Sequence, residues 1–424
     1  MVKPNMSRLG SLTLLACLSL PAYAISIEQA WLQAKQTDPT YAQAKIGSDL
    51  GDIGVTSTRS GLLPSLSAEA TSTWYQDSDN TNSYGATLSQ TLWDSSLWSD
   101  LDEAQANALK SRLELLQASN TLAGQLLAAY LDVASAQADL ELAQNKLEES
   151  NKLLEIIEKR YQAGKVKSID VEDIRATQVS ERAGILENQS VLETKRAELA
   201  ALINQWPETI DKVRTESRER PPMQVESQQA WLALAKSSSP ELLVAAQNVK
   251  AFEFAKQSAQ GGYYPTVKGQ LGYVDSSSSS SNGQFNAGLS LSVPIDLNGA
   301  TRAKVEQASL NTLSAKQALR KVEIDIRKRV VSQFTQVDIN WDQVLIADQL
   351  VTSRTKVLSS KETLYSSGLL EASEVIDAHN RLFEAKNNQQ SSLYNYWRQR
   401  IALLQTAGKL DDEAITLISR AFHS

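Results

Sequence analysis

The amino-acid sequence predicts a mainly α-helical chain that also supplies strands to a transmembrane β-barrel and is internally duplicated. Three observations predict this class. Landmark residues recur in the same order about 200 residues apart. Very long tracts contain no proline. Two pairs of short segments alternate apolar with small polar residues, and a polar loop separates the members of each pair.

The N-terminus reads as a secretory signal over residues 1–24. Lys3 and Arg8 supply the positive region, and Leu9 to Leu20 form a short apolar core. Pro21 breaks that core, and Ala22-Tyr23-Ala24 is an A-x-A cleavage site. Cleavage there leaves Ile25 first. A second reading takes Leu14-Leu15-Ala16-Cys17 as a lipobox that makes Cys17 a lipidated terminus. Cys17 is the single cysteine of the 424-residue chain. The A-x-A product therefore has no disulfide, catalytic thiol or thiolate metal site. Only two histidines, His379 and His423, are present, which argues against a histidine-dependent triad or a His-rich metal centre. Losing Lys3 and Arg8 takes the formal net charge from −7 to −9, the wrong sign for nucleic acid. No later run is long and apolar enough for a transmembrane helix, so a membrane role falls to strands.

The repeats occupy residues 25–206 and 227–408. A linking segment, 207–226, lies between them, and a tail, 409–424, follows. Gln29-Ala30-Trp31-Leu32 is echoed by Gln229-Ala230-Trp231-Leu232, and Pro39 by Pro240. Gly61-Leu62-Leu63-Pro64 is echoed by Gly262-Tyr263-Tyr264-Pro265. Tyr161-Gln162-Ala163-Gly164 is echoed by Tyr365-Ser366-Ser367-Gly368, and Asp173 by Asp377.

Each repeat opens with a helix and ends in very long ones. No proline falls between Ser95 and Trp206 or after Ile295, and proline inside a helix costs about 3 kcal/mol. Leu126, Val133, Leu140, Leu147, Leu154 and Tyr161 recur at sevens. Ala129, Ala136, Ala143, Ser150 and Ile157 follow the first five by three residues. Together they make an a/d seam with small partners. In the second repeat Ala315, Leu319, Val322, Ile326, Val330, Phe334, Val337 and Trp341 step by threes and fours. A helix of about 60 residues spans roughly 90 Å, which suits a coiled coil or projecting tunnel rather than an ordinary globular core.

A strand hairpin is expected at about 65–93 and another at about 266–294. Leu66, Ala68, Ala70 and Trp74 alternate with Ser67, Glu69, Thr71 and Thr73. Phe285, Ala287, Leu289, Leu291 and Val293 alternate with Asn286, Gly288, Ser290 and Ser292. Trp74, Tyr84, Trp93 and Trp98, with Tyr263, Tyr264, Tyr273 and Phe285, can form interfacial aromatic girdles. Polar tips lie at 76–82 and 275–283. The pattern also fits a soluble sheet with one wet face. If the strands do cross a membrane, four cannot close a barrel, which needs at least about eight. Open edges are not tolerated in lipid, so several copies must share one barrel, most simply as a cyclic homo-oligomer.

Over residues 25–408 this arrangement resembles the TolC family of outer-membrane efflux and secretion channels. The residues that carry the likeness are Ser26-Ile27-Glu28-Gln29-Ala30-Trp31, Pro39, the Gly61–Leu66 strand entry and Leu88-Ser89-Gln90-Thr91-Leu92-Trp93-Asp94. Leu291-Ser292-Val293-Pro294-Ile295 and the Arg160-Tyr161-x-x-Gly164 and Tyr365-x-x-Gly368 turns complete them. The resemblance implies a homotrimer with four strands per chain in a twelve-stranded barrel embedded in outer-membrane lipid. It implies a helical tunnel through the periplasm, belted by 207–226 and the tail. It further implies docking to a periplasmic adaptor and an inner-membrane ABC or RND transporter. The channel itself would be passive, serving type I protein secretion, drug efflux or both.

No phosphate loop, metal-ligand spacing or nucleophile motif is present, so no catalysis, cofactor or metal centre is expected. Glu374 and Asp377, three apart, share one helix face. In a trimer they would stack as two rings of carboxylates that narrow a pore and favour cations, with block by divalent ions. By position they match the family's periplasmic constriction acids. The alternative is a solvated helix face. Tyr365 and Asp170 stand where the family links neighbouring helix pairs to close its tunnel, but the expected basic partner is Leu370. Closure is therefore expected to rest on the Tyr365 hydroxyl and on packing, so that Tyr365→Phe opens the channel. The turns Gly164-Lys165-Val166 and Gly368-Leu369-Leu370 should form the adaptor-contacting tips. The competing class is a non-channel periplasmic coiled-coil adaptor, but that class normally adds a lipoyl-like or barrel domain and an inner-membrane anchor, and neither is found.

Overall fold

The computed structural model describes residues 25–76, 79–213, 220–277 and 283–422. Residues 1–24 with Cys17, where a signal was expected, part of each strand loop, part of the linking segment and His423 lie outside the described residues. The first repeat runs α1 (Ile27–Thr37), α2 (Pro39–Ser60), β1 (Ser65–Thr73), β2 (Thr81–Trp93), α3 (Ser95–Gln162) and α4 (Ser168–Ile203). The second runs α5 (Gln228–Ser238), α6 (Pro240–Gly261), β3 (Thr266–Ser276), β4 (Gln284–Ser292), α7 (Ala300–Ser366) and α8 (Ala372–Thr406). A last helix, α9 (Asp412–Phe422), lies in the tail.

The duplicated landmarks are punctuation. Ser26 caps α1 by accepting from the Gln29 amide, and Ser227 caps α5 by accepting from that of Ala230. Pro39 and Pro240 each open a helix at its first turn, where the missing N–H has no partner to lose. Asp94 caps α3 with bonds from the amides of Ser96 and Leu97. Uninterrupted by proline, α3 runs for 68 residues and α7 for 67, each roughly 100 Å at about 1.5 Å per residue. Towards the sheet α3 packs on α2 and α6; towards its far end it packs on α4 and α8. The seam holds along most of α3, with Leu126, Val133, Ala136, Ser150 and Ile157 buried, and ends at the exposed Tyr161.

The four strands form one antiparallel sheet in the order β1-β2-β3-β4. Its register sorts the side chains by face. Leu66, Leu88, Leu271 and Ala287 align in one row across all four strands, and Ser67, Thr87, Gly272 and Asn286 in the next. The apolar rows are unburied within the chain: Phe285 is 86% exposed and Leu289 75%. Both β1 and β4 are open edges with no second neighbour among the described residues. Among the same residues no helix is long and apolar enough to cross a membrane.

The main core lies around the middle of α3 and the C-terminal half of α8. Trp31, Leu126, Tyr130, Trp231, Trp341, Tyr396, Trp397 and Phe422 are buried there. Flanking segments are tied onto it. The Tyr130 hydroxyl donates to the Ile25 carbonyl at 2.8 Å and accepts from the Asp211 amide at 2.9 Å. Arg400 donates to the Pro221 carbonyl at 3.0 Å. Trp31 Nε1 and Lys35 Nζ both reach Asp412, at 2.7 and 2.8 Å, and fasten α1 to α9.

Candidate functional site

The sequence-derived site residues gather where α3 turns into α4 and α7 into α8. The two turns share one geometry. Gly164 and Gly368 have φ of 69° and 77°, a left-handed conformation that glycine adopts without steric cost. Each closes a helix by the same pair of bonds. The Gly164 amide donates to the Tyr161 carbonyl and the Lys165 amide to that of Arg160. The Gly368 amide donates to the Tyr365 carbonyl and the Leu369 amide to that of Leu364.

Beneath the turns sits a second, smaller core of Leu153, Ile157, Val171, Ile174, Tyr365, Ala372 and Val375. It divides the expected docking residues. Val166 and Leu370 pack against this core, whereas Gly164, Lys165 and Gly368 are exposed and Leu369 is 76% exposed. Leu370, standing where a basic residue was expected, thus adds an apolar side chain to this packing. The cross-turn charge pair in this chain is Lys167 with Glu371, at 3.9 Å and exposed on both sides, a kind worth at most about 1 kcal/mol.

Tyr365 is 4% exposed. Its hydroxyl has no close hydrogen-bond partner among the described residues. Burial pushes its phenol above the ordinary tyrosine pKa, with the Arg160 charge and a longer side-chain contact from Arg160 opposing and the Asp170 charge adding to the rise. Asp170 is not bonded to it. Its carboxylate instead accepts from the Lys167 amide at 3.0 Å and caps the start of α4. What grips Tyr365 is Arg160, near the end of α3. The guanidinium lies 4.3 Å from the ring centroid and donates to the carbonyls of Tyr365 and Ser366, both at 2.5 Å. A cation there also meets the negative end of the α7 dipole.

Glu374 and Asp377 lie one turn apart at the start of α8, and each has a cation. Lys361, on α7, reaches Glu374 Oε2 at 2.6 Å and the Glu374 carbonyl at 3.2 Å. Arg381 reaches Asp377 at 2.9 Å, one turn along α8. The acidic pair is thus charge-compensated within the chain. One turn beyond Val375, His379 is buried beside Phe383, with ring centroids 4.8 Å apart.

Arg160, Lys361 and Arg381 are the functional candidates that sequence reasoning did not assign. The spacing of Asp377 and Arg381 is an i,i+4 signal that could have been read. Arg160 was quoted only as part of a turn motif, and its partner carbonyls are 205 and 206 residues away.

The sequence model of the outer membrane efflux protein family matches residues 31–205 and 231–409, one match per repeat. The chain is 24% identical over 418 residues to outer membrane protein TolC of Vibrio cholerae, covering 95% of this chain and 94% of the relative. It is 23% identical to the alkaline protease secretion protein AprF of Pseudomonas aeruginosa, covering 95% and 88%. Its fold is similar to the solved structure of VceC, an outer membrane protein of Vibrio cholerae. The TM-score is 0.76 at 17% identity, covering 90% of this chain and 96% of that one.

Proposed function

We propose that three copies of this chain, which belongs to the outer membrane efflux protein family, share one twelve-stranded barrel and one helical tunnel. The chain is an outer-membrane channel protein of the TolC type, with its strands in the membrane and its helical part in the periplasm. The relatives are channels, and the chain is read as a passive duct rather than an enzyme.

The observation that carries the shared barrel is the sheet itself. Its four strands keep an apolar row beside a polar row across their full width, expose both faces and leave both edges open. A membrane barrel needs no fewer than about eight strands and no free edge. Joining β4 of one copy to β1 of the next satisfies every strand, and three copies give twelve. The partner at each edge is then a second copy of this chain, and the interface is head-to-tail and ring-closing.

In this reading the tunnel closes at the periplasmic turns. Glu374 and Asp377 line the constriction, and Tyr365, Asp170 and Arg160 hold the helix ends around it. The exposed tip residues Gly164, Lys165, Gly368 and Leu369 meet a periplasmic adaptor, which links the duct to an inner-membrane ABC or RND transporter. The described parts of the linking segment and of the tail, 207–213, 220–226 and 409–422, contribute to a belt around the two repeats. The likeness to a protein named for alkaline protease secretion favours type I secretion as one of its uses.

Engineered cysteines test the barrel. Cys17 is the single native cysteine, and it is either removed with the signal or acylated in the two readings of the N-terminus, so Ser67→Cys on β1 paired with Ser290→Cys on β4 gives a clean reporter. Oxidation of the membrane-embedded protein should yield a covalent ladder ending at three chains. A ladder ending at two, or no cross-link in a folded sample, would contradict the shared barrel.

A further inference from the structure

We propose that Thr209, Asp211 and Tyr130 form the binding site of an α-ammonium group, that of Ile25, freed when the exported chain is cut after Ala24. The proposal goes beyond the channel reading and does not depend on it.

Ile25 directly follows the Ala22-Tyr23-Ala24 motif and is seated by both of its backbone groups. It pairs with Ile210 of the linking segment in an isolated parallel bridge. Its nitrogen donates to the Thr209 carbonyl at 3.0 Å. Its carbonyl accepts from the Tyr130 hydroxyl at 2.8 Å, and that hydroxyl accepts from the Asp211 amide at 2.9 Å. Ile25, Ile27, Tyr130 and Ile210 all belong to the main core. Helix α1 begins only at Ile27, and backbone ahead of a terminal helix frays unless it is tied down.

Cleavage changes the chemistry of this nitrogen. A signal peptidase hydrolyses the Ala24–Ile25 peptide bond with one water. The carboxylate leaves with Ala24, and the nitrogen stays on Ile25 as an amine. An α-amine ordinarily titrates at about 8, so it takes up a proton at neutral pH. The ammonium keeps the Thr209 carbonyl as its acceptor and gains a positive charge and two more donors. A charge at the edge of a core needs a counter-charge. Asp211 carries one, two residues along from Thr209. Its charge is felt at this place: burial, then the Asp211 charge, raises the Tyr130 phenol above the ordinary range.

The bases around the segment are engaged elsewhere. Lys212 reaches Glu141 at 2.5 Å. Arg196 reaches Glu193 at 2.8 Å and the Glu208 carbonyl at 2.7 Å. The new terminus therefore pins the linking segment to the start of the first repeat by a charge-assisted bond, where the uncut chain has only an amide. Cutting comes before docking, because proteolysis favours exposed backbone and both backbone groups of Ile25 are taken once the core forms.

The test reads the amine itself, on protein purified from an exporting bacterial host. Peptide mass spectrometry should find Ile25 as the first residue. Brief acylation at pH 7 with sulfo-N-hydroxysuccinimide acetate should label the Ile25 amine at least tenfold more slowly in the native protein than in urea. A pKa raised by one unit alone leaves about a tenth of the reactive free base. Asp211→Asn should speed native labelling severalfold. One alanine inserted between Ala24 and Ile25, with the product confirmed by the same spectrometry, moves the ammonium out of the site. Hydrogen exchange of residues 207–213 should then rise severalfold, while the turn after Tyr365 keeps its protection. A chain that begins at an acylated Cys17, or equal labelling of native and unfolded protein, would overturn the proposal. So would labelling indifferent to Asp211→Asn, or an inserted alanine that leaves exchange unchanged. Conductance enters none of these readings, so the channel reading keeps its own test.

Discussion

Arg160 and Tyr365 join the two helical hairpins of the chain at their tips. The guanidinium of one stacks on the ring of the other and takes the last carbonyls of its helix. The contact spans two repeats and fixes the end of α7, from which the turn into α8 departs. It is a direct link between the two hairpins at the residues that close the duct in the proposed reading.

Arg160→Ala should therefore loosen the tip. Charge-assisted bonds of this kind contribute roughly 1.5–3 kcal/mol. The amides of residues 363–370 should exchange hydrogen at least tenfold faster, with little change in the core around Tyr130. Arg160→Lys should rescue only part of the effect, because a lysine cannot span two carbonyls in one plane. Uniform protection in the alanine variant would show that the turn stands without this contact.

For Tyr365 the ring and the hydroxyl make different predictions. Sequence reasoning rested closure on the hydroxyl and on packing; among the described residues the ring packs into the small core, and the hydroxyl has no close hydrogen-bond partner. Tyr365→Phe should leave the closed-state conductance unchanged. Tyr365→Ala, which empties a buried aromatic site at a cost of about 3–5 kcal/mol, should raise it. A large opening in the phenylalanine variant would place a partner for the hydroxyl on a neighbouring copy.

The acids Glu374 and Asp377 are balanced by Lys361 and Arg381. Neutralising the cations, as Lys361→Gln/Arg381→Gln, should raise cation selectivity and strengthen block by divalent ions by about tenfold or more. Three copies would then expose six uncompensated carboxylates. Reversal potentials in a salt gradient measure this. An unchanged potential would remove these acids from the conduction path.

Acid should release α9. Lys35, then Trp31, hydrogen-bonds Asp412 and holds its carboxyl below the usual range. A depressed folded value adds stability that is full above the ordinary carboxylate pKa near 4. That stability is lost as pH falls through the lower folded value. Hydrogen exchange in residues 412–422 should therefore rise below about pH 4. In Asp412→Asn this pH step should be absent and exchange faster already at neutral pH. A step of equal size in the variant would assign it to another group.

Much of this architecture was legible in the residues. Pro39 and Pro240 mark helix starts, Gly164 and Gly368 mark helix ends, and the alternation from Leu66 to Trp74 marks a strand. Each is a local rule acting on neighbouring residues. The pairing of hairpins was legible only as a requirement, because four strands need neighbours. At the candidate site, Glu374 and Asp377 were readable from their spacing after the Gly368 turn, and Tyr365 from its place at the head of that turn motif. Their partners were not. Lys361 lies on a different helix from Glu374, and the hold of Arg160 on Tyr365 exists only once the two hairpins lie side by side. The segment 207–226 has no periodicity, so the docking of its described parts, through Tyr130 to Asp211 and Arg400 to Pro221, follows from tertiary structure alone.

The most direct test of the account is single-channel recording of the purified trimer in a planar bilayer, beside the Arg160→Ala/Tyr365→Ala variant. The account predicts small, cation-selective openings in the native protein and markedly larger, longer-lived ones in the variant. Equal conductance in both would move the gate away from the periplasmic turns, and no pores from a trimeric sample would contradict the channel itself.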